Sequence, residues 1–201
     1  MTSLSTSPAQ LKTAMRRAVM AQRRTAHGAR AAAAVAAALA QRVAEAVPAA
    51  GSKVAGYWPL GDELDCRPAL AALKAAGAEV ALPVVAGQGR VLIFRAWAPG
   101  DALESGPFGT SHPTVRAALV APNILLLPLI AFDLTGQRLG YGAGYYDRTV
   151  AAFRKERPVT VIGVAYDEQE VAAVPIDEHD QTMDAVITDS RTIWFNGAAK
   201  L

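Results

Sequence analysis

Hydrophobic positions along the chain gather in short, continuous apolar runs, and longer segments with helical spacing lie between them. Runs without polar alternation are typical of strands that are buried on both faces. The pattern therefore predicts an α/β fold with a mainly parallel sheet and helices on both of its sides. The predicted strands are Val54–Trp58, Val80–Val85, Val91–Trp97, Ile124–Pro128, Thr160–Ala165 and Ala185–Thr188.

Helices are predicted where the hydrophobic spacing is helical or where Ala, the best helix former, dominates, and where Gly or Pro follows. The predicted helices are Gln10–Arg24, Ala29–Val47, Arg67–Ala76 and Tyr145–Glu156, with a weaker helical turn at Thr114–Val120. Residues 1–9 are expected to form a disordered leader, and residues 10–201 a single domain.

The composition fits a chain that folds around a buried core, because 52% of its 201 residues are hydrophobic and only 19% are charged. No apolar run approaches the roughly 18 residues that cross a bilayer, so no membrane partner is expected. Cys66 is the only cysteine, which excludes an intramolecular disulfide and suits a small buried apolar residue. The N-terminus lacks the apolar segment of a secretory signal, and a cytoplasmic location is expected.

Charge is unevenly spread although the net charge is only +2, because no acidic residue precedes Glu45. Four interpretations suit such a segment: a nucleic-acid arm, an organelle transit peptide, a solvated basic face, and a helix that offers cations to a small anion. On a helix, Lys12, Arg16 and Arg23 lie within about 40° of one another. This shared face is compatible with the last two interpretations and leaves both open.

The densest chemical signal is a glycine loop, in which Gly140, Gly142 and Gly144 follow a predicted strand and precede a predicted helix. Glycine lets a ligand approach the backbone closely, and free amides at a helix N-terminus attract anions. Arg138, just before the loop, can hold two oxygens of a phosphate. The spacing matches neither the phosphate-loop motif nor the dinucleotide motif.

Two aromatic residues and a carboxylate open the helix after this loop. Tyr146 shares a helical face with Val150 and Phe153, which favours a place in the core, whereas Tyr145 is offset and suits stacking on a ligand. Asp147 in the first turn has two interpretations, complementing the helix dipole or binding Mg²⁺ beside nucleotide phosphates. The sequence leaves both open.

Two further clusters follow predicted strands. Residues 175–184 contain four acidic residues and His179, which suits either an exposed turn or a cation site opposite Asp147. Residues 57–65 place aromatic side chains beside carboxylates, as a pocket for a flat, amine-bearing heterocycle would. A strand end with its aromatic side chains in the core is the competing interpretation.

The three clusters together resemble the 5-formyltetrahydrofolate cyclo-ligase family, also called 5,10-methenyltetrahydrofolate synthetase. The matching motifs extend over nearly the whole chain, and the block from Arg138 to Asp147 is the most specific of them. The resemblance implies a three-layer α/β/α sandwich. It also implies an enzyme that uses ATP and Mg²⁺ to convert 5-formyltetrahydrofolate to 5,10-methenyltetrahydrofolate, with ADP and phosphate released.

The resemblance also implies roles for individual residues. Arg138, Tyr145 and Asp147 are the expected catalytic residues, and Asp147 and Asp180 the expected metal positions. Expected folate contacts are Tyr57, Leu60, Glu63, Asp65 and Trp97. Expected ATP contacts are Lys12, Thr13, Ala14, Met15, Arg16, Arg138, Leu139, Gly140, Tyr141, Gly142, Ala143, Gly144, Tyr145 and Tyr146. The protein is expected to act as a monomer without a nucleic-acid partner.

Two positions depart from the family pattern. His112-Pro113 stands where the family usually has Glu-Pro, and Pro128-Leu129 stands where it usually has Pro-Gly. The first departure leaves room for a second hypothesis, a folate-binding or regulatory protein of the same fold with impaired catalysis.

Overall fold

A computed structural model of the chain describes residues 7–195, 197 and 201. The helices are α1 (Pro8–Ala29), α2 (Ala32–Ala46), α3 (Arg67–Ala75) and α4 (Tyr145–Glu156), with short 3-10 turns at Pro107–Gly109 and Asp167–Gln169. The strands are β1 (Lys53–Ala55), β2 (Glu79–Val85), β3 (Leu92–Ala96), β4 (Leu103–Ser105), β5 (Ser111–Pro113), β6 (Ile124–Pro128), β7 (Ala131–Phe132), β8 (Arg138–Leu139), β9 (Thr160–Ala165), β10 (Ala185–Thr188) and β11 (Thr192–Trp194).

The central sheet has seven strands in the order β11-β10-β9-β6-β1-β2-β3. The five inner strands run parallel, and β11 and β3 are antiparallel edges. The predicted α/β fold with a mainly parallel sheet is confirmed. The chain leaves β1 toward β2 and later returns to the other side of β1 as β6, so a crevice is expected where the carboxyl ends of β1 and β6 meet.

Helices cover both faces of the sheet, which confirms the three-layer α/β/α arrangement. On one face, Leu39 of α2 and Leu70 of α3 belong to one buried cluster with alternate residues of the inner strands. On the other face, Val150 of α4 packs with the intervening strand residues, such as Leu125 of β6. Strands buried on both faces account for the continuous apolar runs in the sequence.

Most of helix α1 packs against the segments that follow β6 and β9, and its Ala26 joins the buried cluster on the α2 and α3 face of the sheet. Its Val19 forms a small buried cluster with Ile130, Ala131, Leu139 and Val174. This placement brings the basic face of α1 to the carboxyl end of the sheet, which is where ligands bind in such folds. No helix in the described part of the chain combines the length and the hydropathy that crossing a membrane needs.

Helix α1 begins earlier and ends later than predicted. Ser7 and Gln10 form a capping box, in which the Ser7 hydroxyl accepts from the Gln10 amide and the Gln10 side chain accepts from the Ser7 amide. The helix therefore starts at Pro8, inside the expected leader, of which residues 1–6 lie outside the described residues. The division into leader and single domain stays a prediction.

The predicted helical turn at Thr114–Val120 is wrong. The segment runs beside β3 instead, where the Ala96 amide donates to the Ala118 carbonyl and the Val120 amide donates to the Phe94 carbonyl. Arg95 of β3 holds the segment further by donating to two of its carbonyl oxygens. Pairing with a sheet edge satisfies these backbone groups and outweighs a weak local helical preference.

Candidate active site

The glycine loop fills the space between β8 and α4, at the carboxyl end of the sheet. Gly142 has φ +101° and Gly144 has φ +67°, a left-handed backbone that favours glycine at both positions. Gly144 precedes the first residue of α4 and has no side chain that could cap the helix. The amides of the first turn are therefore oriented as in an anion site.

Two guanidinium groups hold the loop from opposite directions. Arg16 of α1 donates from Nε to the Gly140 carbonyl at 2.9 Å, and Arg148 of α4 donates to the Ala143 carbonyl at 2.8 Å. A Cβ at Gly142 would approach Arg16 Nη2 to 3.4 Å, and one at Gly144 would approach Arg148 Nη1 to 2.6 Å. The left-handed backbone favours glycine at both positions, and the absence of side chains leaves the two guanidinium groups close to the main chain of the loop.

The buried Arg138 and the half-buried Asp147 form an ion pair beside the loop. Arg138 Nη2 donates to Asp147 Oδ1 at 2.6 Å, and Arg138 Nη1 donates to the Gln181 carbonyl at 2.5 Å. The Gln181 amide also donates to Asp147 Oδ1, at 3.2 Å. Burial lowers the pKa of the Arg138 guanidinium, although it stays charged because arginine is so basic. The pair fixes the carboxylate of Asp147 in the first turn of α4.

Lys12 reaches the acidic cluster that follows β9. Its Nζ lies 2.7 Å from Asp177 Oδ2 and 2.5 Å from Asp180 Oδ2. The hydrogen bond from Lys12 lowers the pKa of Asp177 below its ordinary value. Burial alone would lower the pKa of Lys12, but the two carboxylates raise it. The first residue of the basic face of α1, Lys12, therefore pairs with the acidic cluster instead of facing solvent.

The expected metal positions fit a cation that nucleotide phosphates help to hold. Asp147 and Asp180 lie near the same guanidinium, that of Arg138, and each uses one carboxylate oxygen for the contacts described above. Within the described residues, no three His, Cys, Asp or Glu side chains converge on one metal position. Mg²⁺ commonly takes one or two carboxylates together with phosphate oxygens, and this donor set suits that mode.

On the β1 side of the crevice, Glu63 is buried and held by two donors. Its Oε1 accepts from the Tyr141 hydroxyl at 2.5 Å, and its Oε2 accepts from the Leu60 amide at 2.8 Å. Burial raises the pKa of Glu63, and the hydrogen bonds oppose that shift. Because Tyr141 belongs to the glycine loop, this contact joins the two loops that follow β1 and β6.

The aromatic residues after β1 divide between core and crevice. Tyr57 is buried, and its hydroxyl donates to the Leu64 carbonyl at 2.5 Å, so its polar group is already used. Trp97 is buried edge-to-face against the half-buried Trp58, with ring centroids 6.4 Å apart. Arg67 covers the Trp58 ring at 4.5 Å and forms a bidentate pair with Asp65.

The remaining expected contacts differ in how accessible they are. Thr13 and Ala14 are exposed on α1, whereas Met15 packs against the small cluster that contains the buried Leu139. Tyr146 packs against the core cluster that contains Val150, as its helical face predicted. Burial there raises the pKa of Tyr146. The half-buried Tyr145 ring lies against Phe108, with centroids 6.2 Å apart, and under the Arg148 guanidinium.

Comparison with known proteins settles the family. Residues 8–189 match the family described as the 5-formyltetrahydrofolate cyclo-ligase family. The chain belongs to the 5-formyltetrahydrofolate cyclo-ligase family. It is 36% identical over 151 residues to a 5-formyltetrahydrofolate cyclo-ligase of Escherichia coli (strain K12), with 70% of this chain and 79% of the relative covered. It is 33% identical over 151 residues to one of Mycolicibacterium smegmatis, with 71% and 76% covered.

Solved structures of cyclo-ligase relatives share the fold. The solution structure of Aquifex aeolicus 5,10-methenyltetrahydrofolate synthetase has a TM-score of 0.75 and 27% identity, with 95% of this chain and 96% of that chain covered. A second, 5,10-methenyltetrahydrofolate synthetase from Mycoplasma pneumoniae, has a TM-score of 0.65 at 22% identity, with 89% of this chain and 98% of that chain covered, and it shows the likeness of fold alone.

Both departures from the cyclo-ligase pattern have a local structural setting. Leu129 is buried, and a Cβ at Gly163 would lie 2.6 Å from Leu129 Cδ2, so the glycine makes room for the leucine. His112 of β5 lies opposite Glu104 of β4 in the antiparallel register. An acidic residue at position 112 would face that glutamate, which is unfavourable for like charges on paired strands.

Three residues in the site were not assigned to it from the sequence. Arg23 shares the basic face of α1, and that helical spacing was the available signal. Asp62, its partner, belongs to the cluster of residues 57–65, and Arg148 directly follows the block that ends at Asp147, but neither has a spacing that indicates its contact. Arg148 reaches the nearby Ala143 carbonyl, whereas Arg23 and Asp62 are 39 positions apart and only the fold brings them together.

Proposed function

We propose that this chain catalyses the ATP-dependent ring closure of 5-formyltetrahydrofolate to 5,10-methenyltetrahydrofolate, with release of ADP and phosphate. Membership of the family supports the reaction class. The observation that carries the proposal is the glycine loop held between Arg16 and Arg148 at the N-terminus of α4. Such a loop combines backbone amides, the helix dipole and two cations on one anionic ligand.

The proposed chemistry converts the formyl oxygen, a poor leaving group, into part of a phosphate, which is a good one. The γ-phosphoryl group of ATP is transferred to the formyl oxygen, and the bond to the β-phosphate oxygen breaks. Nitrogen 10 then attacks the formyl carbon and loses its proton, and the carbon–oxygen bond breaks to release phosphate. Such transfers depend on positioning and charge stabilisation more than on a protein nucleophile, and the site supplies groups of that kind.

We assign the nucleotide side to Lys12, Arg16, Arg138 and the glycine loop, with Tyr145 placed for stacking. Lys12 and Arg16 are already bound to oxygen atoms, those of the acidic cluster and of the Gly140 carbonyl. Phosphate oxygens would replace or share these partners. Asp147 and Asp180 would hold Mg²⁺, which neutralises phosphate charge when bound, and Arg138 keeps Asp147 in place through its 2.6 Å contact.

We assign the folate side to the loop after β1, with Glu63 as its central polar contact. Glu63 and Asp65 are carboxylates of the kind that accept from ring N–H groups, and Leu60 and Trp97 supply apolar area. Tyr57 contributes through its ring, since its hydroxyl is bound to the Leu64 carbonyl. The carboxylate of Glu63 has two donors, which fixes its orientation before folate binds.

Absorbance spectroscopy of the purified protein tests the proposal. With 5-formyltetrahydrofolate and Mg-ATP we expect the methenyl absorbance to appear together with one ADP per product, and neither signal without Mg-ATP. Arg138→Ala should raise the ATP dissociation constant, with Arg24→Ala on the exposed face of α1 as control. Absence of methenyl product in the unaltered protein would rule the proposal out.

A second candidate is a folate-binding protein of this fold with impaired catalysis, and His112 is the observation that favours it. It predicts tight folate binding without ATP turnover, which the same spectroscopic experiment would reveal. The cytoplasmic location, the monomeric state and the absence of a nucleic-acid partner stay predictions.

A further inference from the structure

A buried chain of polar contacts connects α1 with both sides of the crevice. Arg23 donates from Nη1 to the Tyr141 hydroxyl oxygen at 2.9 Å and from Nη2 to Asp62 Oδ1 at 2.6 Å. Arginine has no acceptor, so the Tyr141 hydroxyl must use its own proton on Glu63, whose Oε1 lies 2.5 Å away. Donation therefore starts at Arg23 and runs to Asp62 on one side, and through the Tyr141 hydroxyl to Glu63 on the other.

Tyr141 belongs to both sides of the site. Its main chain lies between Gly140 and Gly142 in the nucleotide loop, and its hydroxyl holds Glu63 in the folate loop. Arg16 and Arg23, seven residues or about two helical turns apart on α1, bind the Gly140 carbonyl and the Tyr141 hydroxyl. The same rigid helix thus fixes the loop at its main chain and at its side chain.

The exposure of Tyr141 indicates that the contacts of its hydroxyl matter more than the packing of its ring. The residue is 46% exposed, so burial accounts for only part of its placement. Its hydroxyl nevertheless has two polar partners, one of which, Arg23, is buried. Burial raises the pKa of Tyr141, and the neighbouring Glu63 raises it further, so the phenol keeps its proton at neutral pH. A tyrosine that served only as packing would bury its ring and leave the hydroxyl to solvent.

We propose that Tyr141 and Arg23 are positioning residues that couple the two ligand sites, so that ATP and 5-formyltetrahydrofolate bind with positive cooperativity. Phosphates bound to the glycine loop would stabilise the Tyr141 contact that is already present, so that the carboxylate of Glu63 stays in its folate-binding orientation. Folate held by Glu63 in turn stabilises the loop that binds phosphates. This inference rests on the proposed function, because it takes the two ligands from it.

Ligand linkage tests the inference. The dissociation constant of 5-formyltetrahydrofolate is measured with and without a saturating non-hydrolysable ATP analogue and Mg²⁺. We expect the analogue to tighten folate binding by about tenfold in the unaltered protein, within the range of ordinary allosteric coupling. Tyr141→Phe should bring this ratio to within about twofold of one, and the reciprocal experiment must give the same factor.

Tyr166→Phe is the matched control. The Tyr166 hydroxyl also contacts an α1 side chain, His27 at 3.1 Å, but on the part of the helix beyond the site. We expect its coupling ratio to equal that of the unaltered protein. A structural defect in Tyr141→Phe would weaken the binding of both ligands and leave the ratio of the folate dissociation constants unchanged. The ratio therefore distinguishes a loss of coupling from a structural defect.

Arg23→Lys provides a second variant. Lysine keeps the charge but cannot donate to Asp62 and Tyr141 with the same planar fork, so an intermediate ratio is expected. Unchanged ratios in both variants, or a ratio near one in the unaltered protein, would overturn the inference. If the unaltered protein fails to bind 5-formyltetrahydrofolate or to form methenyl product, the proposed function fails instead.

Discussion

The two ends of α1 hold acidic partners in different ways. At the first end, the Lys12 side chain is 10% exposed and pairs with two carboxylates, those of Asp177, which is 49% exposed, and Asp180, which is 18% exposed. At the other end, the Arg23 side chain is 3% exposed and its carboxylate partner, Asp62, is 16% exposed. Asp62 Oδ2 is buried without a hydrogen bond from any described residue, and Arg24 Nε lies 4.0 Å from it.

This difference indicates that the Lys12 end of α1 serves ligand binding and that the Arg23 end stabilises the fold. A cation paired with a solvent-accessible carboxylate can exchange that partner for a phosphate at small cost, because water stabilises the released group. A guanidinium that is buried with its partner cannot exchange that partner without leaving a buried charge unpaired. We therefore expect substitutions at the Lys12 end to affect ligand binding, and those at the Arg23 end to affect stability and coupling.

The largest expected effect comes from Arg23→Met. Removing the guanidinium leaves Asp62 buried without compensation and the Tyr141 hydroxyl without its donor, so the free energy of unfolding should fall by about 3–5 kcal/mol. Chemical denaturation measures the change. The control is Arg24→Met, whose side chain is 72% exposed, with an expected change of about 0.5 kcal/mol or less. Equal losses in both variants would contradict the distinction between the two ends.

Lys12→Met should affect ATP binding more than the free energy of unfolding. Of its two carboxylate partners, Asp177 reaches solvent and Asp180 keeps the Asp177 amide as a donor, so the free energy of unfolding should change by about 1 kcal/mol or less. One charge-assisted hydrogen bond to phosphate contributes about 1.5–3 kcal/mol, so the KM for ATP should rise roughly ten- to hundredfold. Steady-state kinetics measures this, with Lys74→Met on the exposed side of α3 as the matched control. An unchanged KM would remove Lys12 from the nucleotide side.

The pH dependence of stability should differ in sign between Asp177 and Glu63. The Lys12 hydrogen bond lowers the pKa of Asp177, so its contribution is present above the unfolded value of about 3.9 and is lost as pH falls through the lower folded pKa. Burial raises the pKa of Glu63, so its contribution is present below the unfolded value of about 4.3 and is lost as pH rises through the folded pKa.

Denaturation between pH 3 and pH 7 therefore gives two opposite expectations. In Asp177→Asn, the free energy of unfolding should rise less steeply with pH in the acid range. In Glu63→Gln, it should rise more steeply with pH above the unfolded pKa of Glu63. Each effect is limited to about 1.4 kcal/mol per pH unit, the value for one proton. Slopes that change in the same direction in both variants would contradict the assignment.

The smallest expected effect is that of His112→Glu. The new carboxylate would face Glu104 across β4 and β5, and the like charges should cost about 0.2–1 kcal/mol of stability. If the chain is an active cyclo-ligase, turnover should change little. A variant that gains turnover from an inactive parent would favour the second candidate, the impaired folate-binding protein.

Prediction from sequence succeeded where one local signal decided the structure. Six of the seven strands of the central sheet followed from continuous apolar runs, the edge strand β11 was not predicted, and α4 begins and ends at its predicted residues. It failed at β7 and β8, which have two residues each and carry no periodicity, and at Thr114–Val120, where pairing with β3 prevailed. In the site, the helical face of Lys12, Arg16 and Arg23 was predictable, but their partners were not.

By itself, the sequence determined the α/β class, the glycine loop before α4 and the basic face of α1, because residue spacing and side-chain chemistry are local properties. Only the tertiary structure decided that Arg23 closes on Asp62 and Tyr141 and that Tyr141 reaches Glu63. Those three contacts join residues that are 39, 118 and 78 positions apart. No local preference encodes them, and they exist because the sheet brings the ends of β1 and β6 together beneath one helix.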